Sequence, residues 1–313
     1  MGQTEVKPVS YLTTLQNGLF RKKVQAASEM LRRCSVCPRS CGVNRLEGEL
    51  GFCGIGKNAW VASLGAHFGE ESPLVGSGGS GTIFFSSCNL KCIFCQNYEI
   101  SHEMEGREVS GEELGSMMLG LQAAGCHNIN FVTPSHVVPQ ILSAVHWAAE
   151  RGLALPLVYN TSAYDSLETL HLLDGIIDIY MPDLKCMDAR TAGELLNAPD
   201  YPEVATKAII EMHRQVGDLE IGEDGIAVRG LLVRHLVMPA DTANTREAMA
   251  FLVRDVSSNT YVNIMNQYRP VAEAKRHPLI GRTITSTEYK NAISCALMAG
   301  INRLDQRIRF RMV

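Results

Sequence analysis

The stretch TIFFSSCNLKCIFCQN, residues 82–97, sets an apolar run of strand length directly ahead of three cysteines, Cys88, Cys92 and Cys95, spaced C-x3-C-x2-C. Three thiolates within eight residues can wrap one compact inorganic centre. A structural zinc site takes four protein ligands, and a 4Fe–4S cluster is usually held by four cysteines. Three ligands leave one metal position open, and an open position is what lets a metal centre take a substrate. His102 is the nearby side chain that would otherwise complete a closed zinc site.

Downstream the sequence settles into a repeating rhythm. Runs rich in Val, Ile, Phe and Tyr at 82–86, 128–132, 155–159, 176–180, 231–237 and 260–265 read as buried parallel strands. Between them, 110–125, 137–151, 165–173, 188–196, 201–215 and 243–255 read as helices, and 286–299 reads as a last one. Ser110 and Glu113 make the S-x-x-E of a capping box; Asp200 and Thr242 are candidate caps for other helices. Strand–helix alternation at this spacing means βαβ units and a parallel sheet, hence an α/β fold. The six repeats either close partway into a barrel or lie open in a doubly wound sheet. In both, ligands gather at the C-terminal ends of the strands. The strand ends NFVTPSH (130–136), YNTS (159–162) and IYMPDLK (179–185) are therefore the places to look for a site.

Upstream, residues 11–33 read as one helix with Leu12, Leu15, Leu19, Val24, Ala27 and Leu31 on its apolar side. Residues 34–80 read as an irregular segment rich in Cys, Gly and Pro, ending in a flexible SGGSG turn at 77–81. The chain is thus expected to divide into an N-terminal extension, 1–80, and a barrel, 81–313. The extension holds Cys34, Cys37, Cys41 and Cys53, spaced C-x2-C-x3-C-x11-C. Four thiolates either close a tetrahedral zinc site or ligate a second iron–sulfur cluster, and the spacing does not choose between them.

Composition narrows the class. The chain has 313 residues, of which 46% are apolar and 20% charged, which excludes a disordered chain. A formal net charge of −4 argues against strong nucleic-acid binding. No apolar run is long enough to span a membrane. The first residues carry no apolar stretch of a secretory signal, and Val6 stands where a myristoylation motif on Gly2 requires Ser or Thr. A cytoplasmic protein is expected. Seven of the ten cysteines fall within residues 34–95; in a reducing compartment such clusters bind metal more often than they pair as disulfides.

With an aromatic residue, Phe94, directly before the third cysteine and a strand directly before the first, the motif resembles that of the radical S-adenosylmethionine (SAM) superfamily. More narrowly, CNLKCIFCQN, DLK (183–185) and VRHLVMP (233–239) resemble homologues of the pyruvate formate-lyase-activating enzyme, in a branch with an extra segment C-x2-CPR-x-CGVNR ahead of the barrel. The resemblance implies a partial (β/α)6 TIM-like barrel. It implies a 4Fe–4S cluster on Cys88, Cys92 and Cys95, whose remaining iron is chelated by SAM, and a one-electron cleavage that yields a 5′-deoxyadenosyl radical. It further implies an external one-electron reductant of the flavodoxin or ferredoxin type, and a protein substrate such as a glycyl radical enzyme. Another peptide, a cofactor precursor or RNA is the alternative target, and a zinc-stabilised scaffold without turnover is the alternative of a different class.

The same resemblance assigns residues. Phe94 packs near the adenine, Lys185 reaches the SAM carboxylate, and Asp183 supports that pocket. The family's Gly-Gly-Glu-Pro loop, which holds the SAM amino group, is replaced here by NFVTPSH. Thr133 is then the candidate acceptor for the ammonium, with Ser135 and His136 as further ones. Asn160, Thr161 and Ser162 would line the pocket after the third strand. On the fifth strand Arg234 and His235 point to opposite faces, and His235 is the candidate for the family's histidine near SAM. Asn263, Asn266 and Gln267 end the sixth strand and are candidate pocket amides.

Overall fold

A computed structural model describes residues 9–305; Gly2 and Val6 fall outside the described residues. Two helices come first, α1 (Ser10–Gln16) and α2 (Leu19–Glu29). The single helix expected over 11–33 is broken because Gly18 adopts φ +73°, a left-handed turn that glycine takes without steric cost. The helix α1 sits beneath the barrel: Tyr11 Oη donates to Leu155 O (3.0 Å), Thr14 Oγ1 to Gly175 O (2.7 Å), and Ser10 N–H to Asp178 Oδ1 (2.8 Å).

The extension is less irregular than its composition suggests. A nine-residue strand, β1 (Ala59–His67), pairs antiparallel with β2 (Ser80–Phe85) through α3 (Ser72–Val75). The SGGSG turn is tight, and its last two residues lie in a strand. Gly79 has φ +78°, a side chain on Gly78 would run into the Gly125 carbonyl oxygen, and Ser80 and Gly81 already belong to the strand.

After β2 come α4 (Tyr98–Ser101), β3 (Arg107–Val109), α5 (Gly111–Ala123), β4 (Ile129–Val132), α6 (Val138–Ala149), β5 (Leu157–Thr161), α7 (Leu167–Leu173) and β6 (Ile179–Pro182). Then follow α8 (Ala189–Leu196), α9 (Tyr201–Val216), β7 (Glu220–Ile221), β8 (Ala227–Leu236), α10 (Thr245–Phe251), β9 (Tyr261–Met265), α11 (Ser286–Ala299) and β10 (Arg303–Leu304). The Ser110–Glu113 capping box forms at the start of α5. Asp200 occupies the cap position of α9, but its carboxylate makes no cap bond and accepts instead from Tyr164 Oη at 2.9 Å. Thr242 does not cap α10 but closes the turn Pro239–Asp241 before it; Asn244 stands at the start of α10.

The strands β2, β4, β5, β6, β8 and β9 lie side by side in that order and run parallel. They form a partial (β/α)6 barrel, extended beyond β2 by antiparallel β1 and β3 and beyond β9 by β10. Alternate side chains face inward. Val158, Ile179, Met181, Leu232 and Tyr261 meet Leu74 of α3 in a small inner cluster. The segment carrying Leu74 links the start of β4 to β9 across the open barrel. Asn128 Nδ2 donates to Leu74 O (2.8 Å), and Asn263 Nδ2 to Glu71 Oε1 (2.9 Å). The larger core, between sheet and helices, also takes in Tyr11, Phe20, Val36 and Ile55 from the extension.

Leu74 is fully buried and plugs the barrel floor. Leu74→Ala is expected to cost about 2–5 kcal/mol, the usual range for a core leucine, read as a lower urea midpoint with unchanged slope. A loss below about 1 kcal/mol would show that the floor collapses onto the gap and does not depend on this side chain.

Candidate functional site

Continuing the inward parity one step toward the C-terminal ends brings Asn160, Asp183 and Arg234 to the barrel mouth. They border a cavity of about 250 Å³. The loop between β2 and α4 forms its opposite wall, and Cys88, Cys92 and Cys95 all line it. The loop curls back through Ser87 (φ +69°) and Lys91 (φ +56°). It is anchored outside the site by Ile93 N–H to Leu195 O (3.1 Å) and Asn197 Nδ2 to Lys91 O (2.7 Å). The Leu90 N–H donates to Cys88 Sγ (3.3 Å) and the Ser101 hydroxyl to Cys95 Sγ (3.1 Å). Burial pushes the Cys88 and Cys92 thiols up; backbone N–H groups at Cys88 and the Lys185 ammonium at Cys92 only partly offset it.

Among the described residues no fourth ligand joins them. His102 stacks on Tyr98 with ring centroids 4.2 Å apart, bonds to Ser101 through Nδ1 (2.8 Å), and is not part of the cavity wall. Among the described residues no three His, Cys, Asp or Glu side chains stand close enough to share a single metal ion. A single zinc draws its thiolates to about 2.3 Å from one point. An iron–sulfur core sets a separate iron under each thiolate and needs a wider set. The three thiols around a roomy cavity suit the second kind of centre.

The charges opposite the thiols are tightly arranged. Asp183 receives Lys185 Nζ at 2.6 Å and Arg234 Nε at 2.6 Å. Arg234 Nη2 donates to Asn160 Oδ1 (2.6 Å), and its Nη1 lies 3.8 Å from Glu70 and 3.9 Å from Glu71. Burial alone would raise the Asp183 carboxyl and lower the Lys185 ammonium. Attraction reverses both: Arg234, and then Lys185, hold Asp183 below its ordinary value, and Asp183 holds Lys185 above its own. Tyr201 steadies the turn by donating to Asp183 O (2.7 Å) and accepting from Lys185 N–H (2.9 Å).

The remaining expected residues divide. Phe94 lines the cavity and meets Tyr268 edge-on at 6.2 Å. Thr133, Thr161, Ser162 and Gln267 line it too. Thr133 has φ +60°, a strained state for a β-branched residue of the kind that collects at binding sites. The Ser162 hydroxyl is buried and has no hydrogen-bond partner. Ser135 instead bonds to Thr161 Oγ1 (2.9 Å), which donates to the buried Asp165 (2.6 Å).

The structure places three expected residues elsewhere. His235 shares the outward parity of Leu231 and Val233; its Nδ1–H donates to Leu184 O (2.8 Å) and its Nε2 accepts from Thr245 Oγ1 (3.0 Å), so it faces α10 and not the mouth. His136 turns toward the extension, with Nε2–H donating to Ser86 O (2.9 Å). Asn263 points to the floor and Glu71. Arg234 is the site residue whose face the sequence left open, and its signal was parity with Leu232.

The fold and this mouth define a partial-barrel protein with a thiol-lined cavity over an ion-paired strand end. No family model matches the chain. It is 31% identical over 292 residues to the uncharacterized protein MJ0674 of Methanocaldococcus jannaschii, covering 91% of this chain and 80% of that protein. The chain belongs to that protein's family. A second protein of that organism, uncharacterized protein MJ0808, is 31% identical over 173 residues, 49% of either chain. Among solved structures, HydG, a maturase of the [FeFe]-hydrogenase, aligns with 71% of this chain and 50% of its own, at 13% identity and a TM-score of 0.49. This chain therefore spans about half of HydG, and the likeness is loose.

Because Asp183 is held below its ordinary value, its ion pairs contribute fully above the normal carboxylate range, near pH 4. That contribution is lost as pH falls through the lower folded value. Asp183→Asn is expected to lower the urea midpoint at pH 7, and the gap from the parent chain should close below about pH 4. A gap independent of pH would show that the carboxylate is not ionically engaged.

Proposed function

We propose that this chain is a radical SAM enzyme, with a 4Fe–4S cluster held by Cys88, Cys92 and Cys95 and SAM bound across the barrel mouth. The observation that carries this reading is the three-thiol wall without a fourth ligand, facing a cation-bearing strand end across a cavity of about 250 Å³. When bound, such a cluster supplies a single electron to a sulfonium.

The chain's own residues have defined tasks in this reading. Lys185 offers a compact positive charge to the SAM carboxylate. Asp183 keeps it protonated and aimed, and is itself fixed by Arg234. Thr133 and the unpartnered Ser162 hydroxyl supply oxygen acceptors for an ammonium. Phe94 offers an aromatic edge to the adenine. Among the described residues no helix is long and apolar enough to cross a membrane; with ten free cysteines, a reducing cytoplasmic setting is part of the proposal. So are an electron donor of the flavodoxin or ferredoxin class and a protein substrate of the glycyl-radical type.

Anaerobic reconstitution with iron and sulfide, followed by dithionite and SAM, is expected to yield 5′-deoxyadenosine. A fully loaded protein that forms none would sink the reading. Cys92→Ala should abolish the product. Lys185→Ala should weaken SAM binding at least tenfold, since truncating one side of a buried charge pair costs about 2–5 kcal/mol; unchanged binding by equilibrium dialysis would remove Lys185 from the site.

A further inference from the structure

Away from the barrel mouth, Cys34, Cys37, Cys41 and Cys53 line one small enclosed chamber. The local fold is shaped to gather them. Cys34 N–H donates to Val43 O (2.9 Å) and Gly42 N–H to Cys34 O (3.0 Å), closing residues 34–43 into a tight loop. Gly51 passes so near Cys41 that an added Cβ would lie 2.8 Å from its Cβ and Sγ. Phe52 N–H donates to Cys41 Sγ at 3.4 Å.

Around a single zinc all four sulfurs would stand about 2.3 Å from one ion. No three donors among the described residues are close enough to share one ion. A polynuclear core sets a separate iron under each sulfur and so holds the sulfurs farther apart than one ion does.

Charge points to an anionic centre in this chamber. Arg45 is 1% exposed. Its Nε donates to Gly56 O (3.0 Å) and its Nη1 to His136 O (2.9 Å), with Cys34 Sγ at 3.9 Å, while Nη2 is buried without an acceptor. Arg39 Nη2, on the same wall, is also buried without one. Neutral carbonyls thus hold a buried cation whose desolvation costs several kcal/mol unless an anion balances it. Four thiolates on an iron–sulfur core carry net negative charge and supply that anion.

We propose that this chamber holds a second iron–sulfur cluster, ligated by Cys34, Cys37, Cys41 and Cys53 and charge-balanced by Arg45. The assignment does not depend on SAM binding at the barrel mouth. The full chain carrying Cys88→Ala, Cys92→Ala and Cys95→Ala, reconstituted anaerobically with iron and sulfide, has only this chamber to fill. It is expected to keep about half of the parent's iron and acid-labile sulfide, with an electron paramagnetic resonance signal that SAM does not alter. Zinc in place of iron, or no metal at all, overturns the proposal. The reciprocal Cys34→Ser, Cys37→Ser chain should lose the complementary half and keep the SAM-sensitive signal. In the triple-alanine background, Arg45→Gln should lower the cluster's reduction potential by removing a neighbouring positive charge; an unchanged potential denies Arg45 that role. A parent chain that loads iron only in this chamber would sink the reading of the barrel mouth and leave this one standing.

Discussion

The Asp183 carboxylate, held between the Lys185 ammonium and the Arg234 guanidinium, is the contact on which the geometry of the barrel mouth depends. The ladder between β6 and β8 pairs Ile179 with Gly230 and Tyr180 with Leu231, and beyond those it continues as an isolated bridge between Asp183 and Arg234. The ion pair and Leu184 N–H to Arg234 O (2.9 Å) carry the strands together where backbone pairing thins. Arg234 then reaches Asn160 on β5 and approaches Glu70 and Glu71 below. One cation therefore sets the spacing of three strands and the floor. Such a pair is a poor source of net stability, because desolvation consumes most of the attraction. Its value is positional: it fixes where Lys185 points.

The cysteine loop depends on a different kind of constraint. Its thiols reach the mouth only because Ser87 and Lys91 take left-handed backbone states, which cost energy in non-glycine residues. Packing from outside holds them there. The extension contributes to this directly. The Ser87 hydroxyl donates to the Cys53 carbonyl, and Arg39 Nε donates to Asn89 O at 2.8 Å. Asn89 lies beside Cys88, with its Oδ1 4.0 Å from that Sγ, and its side chain also contacts the Cys37 thiol. Asn89 thus touches both groups of cysteines, and the extension is a structural support of the barrel loop as well as a chamber of its own.

The parallel strands were legible because buried strands appear as unbroken apolar runs, with no need for register to be known. The capping box of α5 was legible because its two residues are three apart and bond only to each other's backbone. The strand β1 was not. AWVASLGAH pairs antiparallel near the sheet edge, carries Ala, Ser and Gly, and is largely exposed over its second half; its strand state comes from β2, which follows beyond α3. Gly18 was hidden for a related reason. A glycine inside an apolar stripe is compatible with either a weak helix or a break, and the floor contacts of Tyr11 and Thr14 select the break.

By itself, the order of residues determined the alternation of strands and helices, the C-x3-C-x2-C loop at a strand end, and the grouping of the other four cysteines, since these depend on neighbours close in the chain. Tertiary structure decided which face of β8 looks into the barrel. A shift of one residue in register exchanges Arg234 for His235, and only the packing of Leu232 against Leu74 and Tyr261 settles that parity. It also decided that Arg45 is buried against carbonyls rather than solvated, because its burial is made by Gly56 and His136, brought together from 11 and 91 positions away.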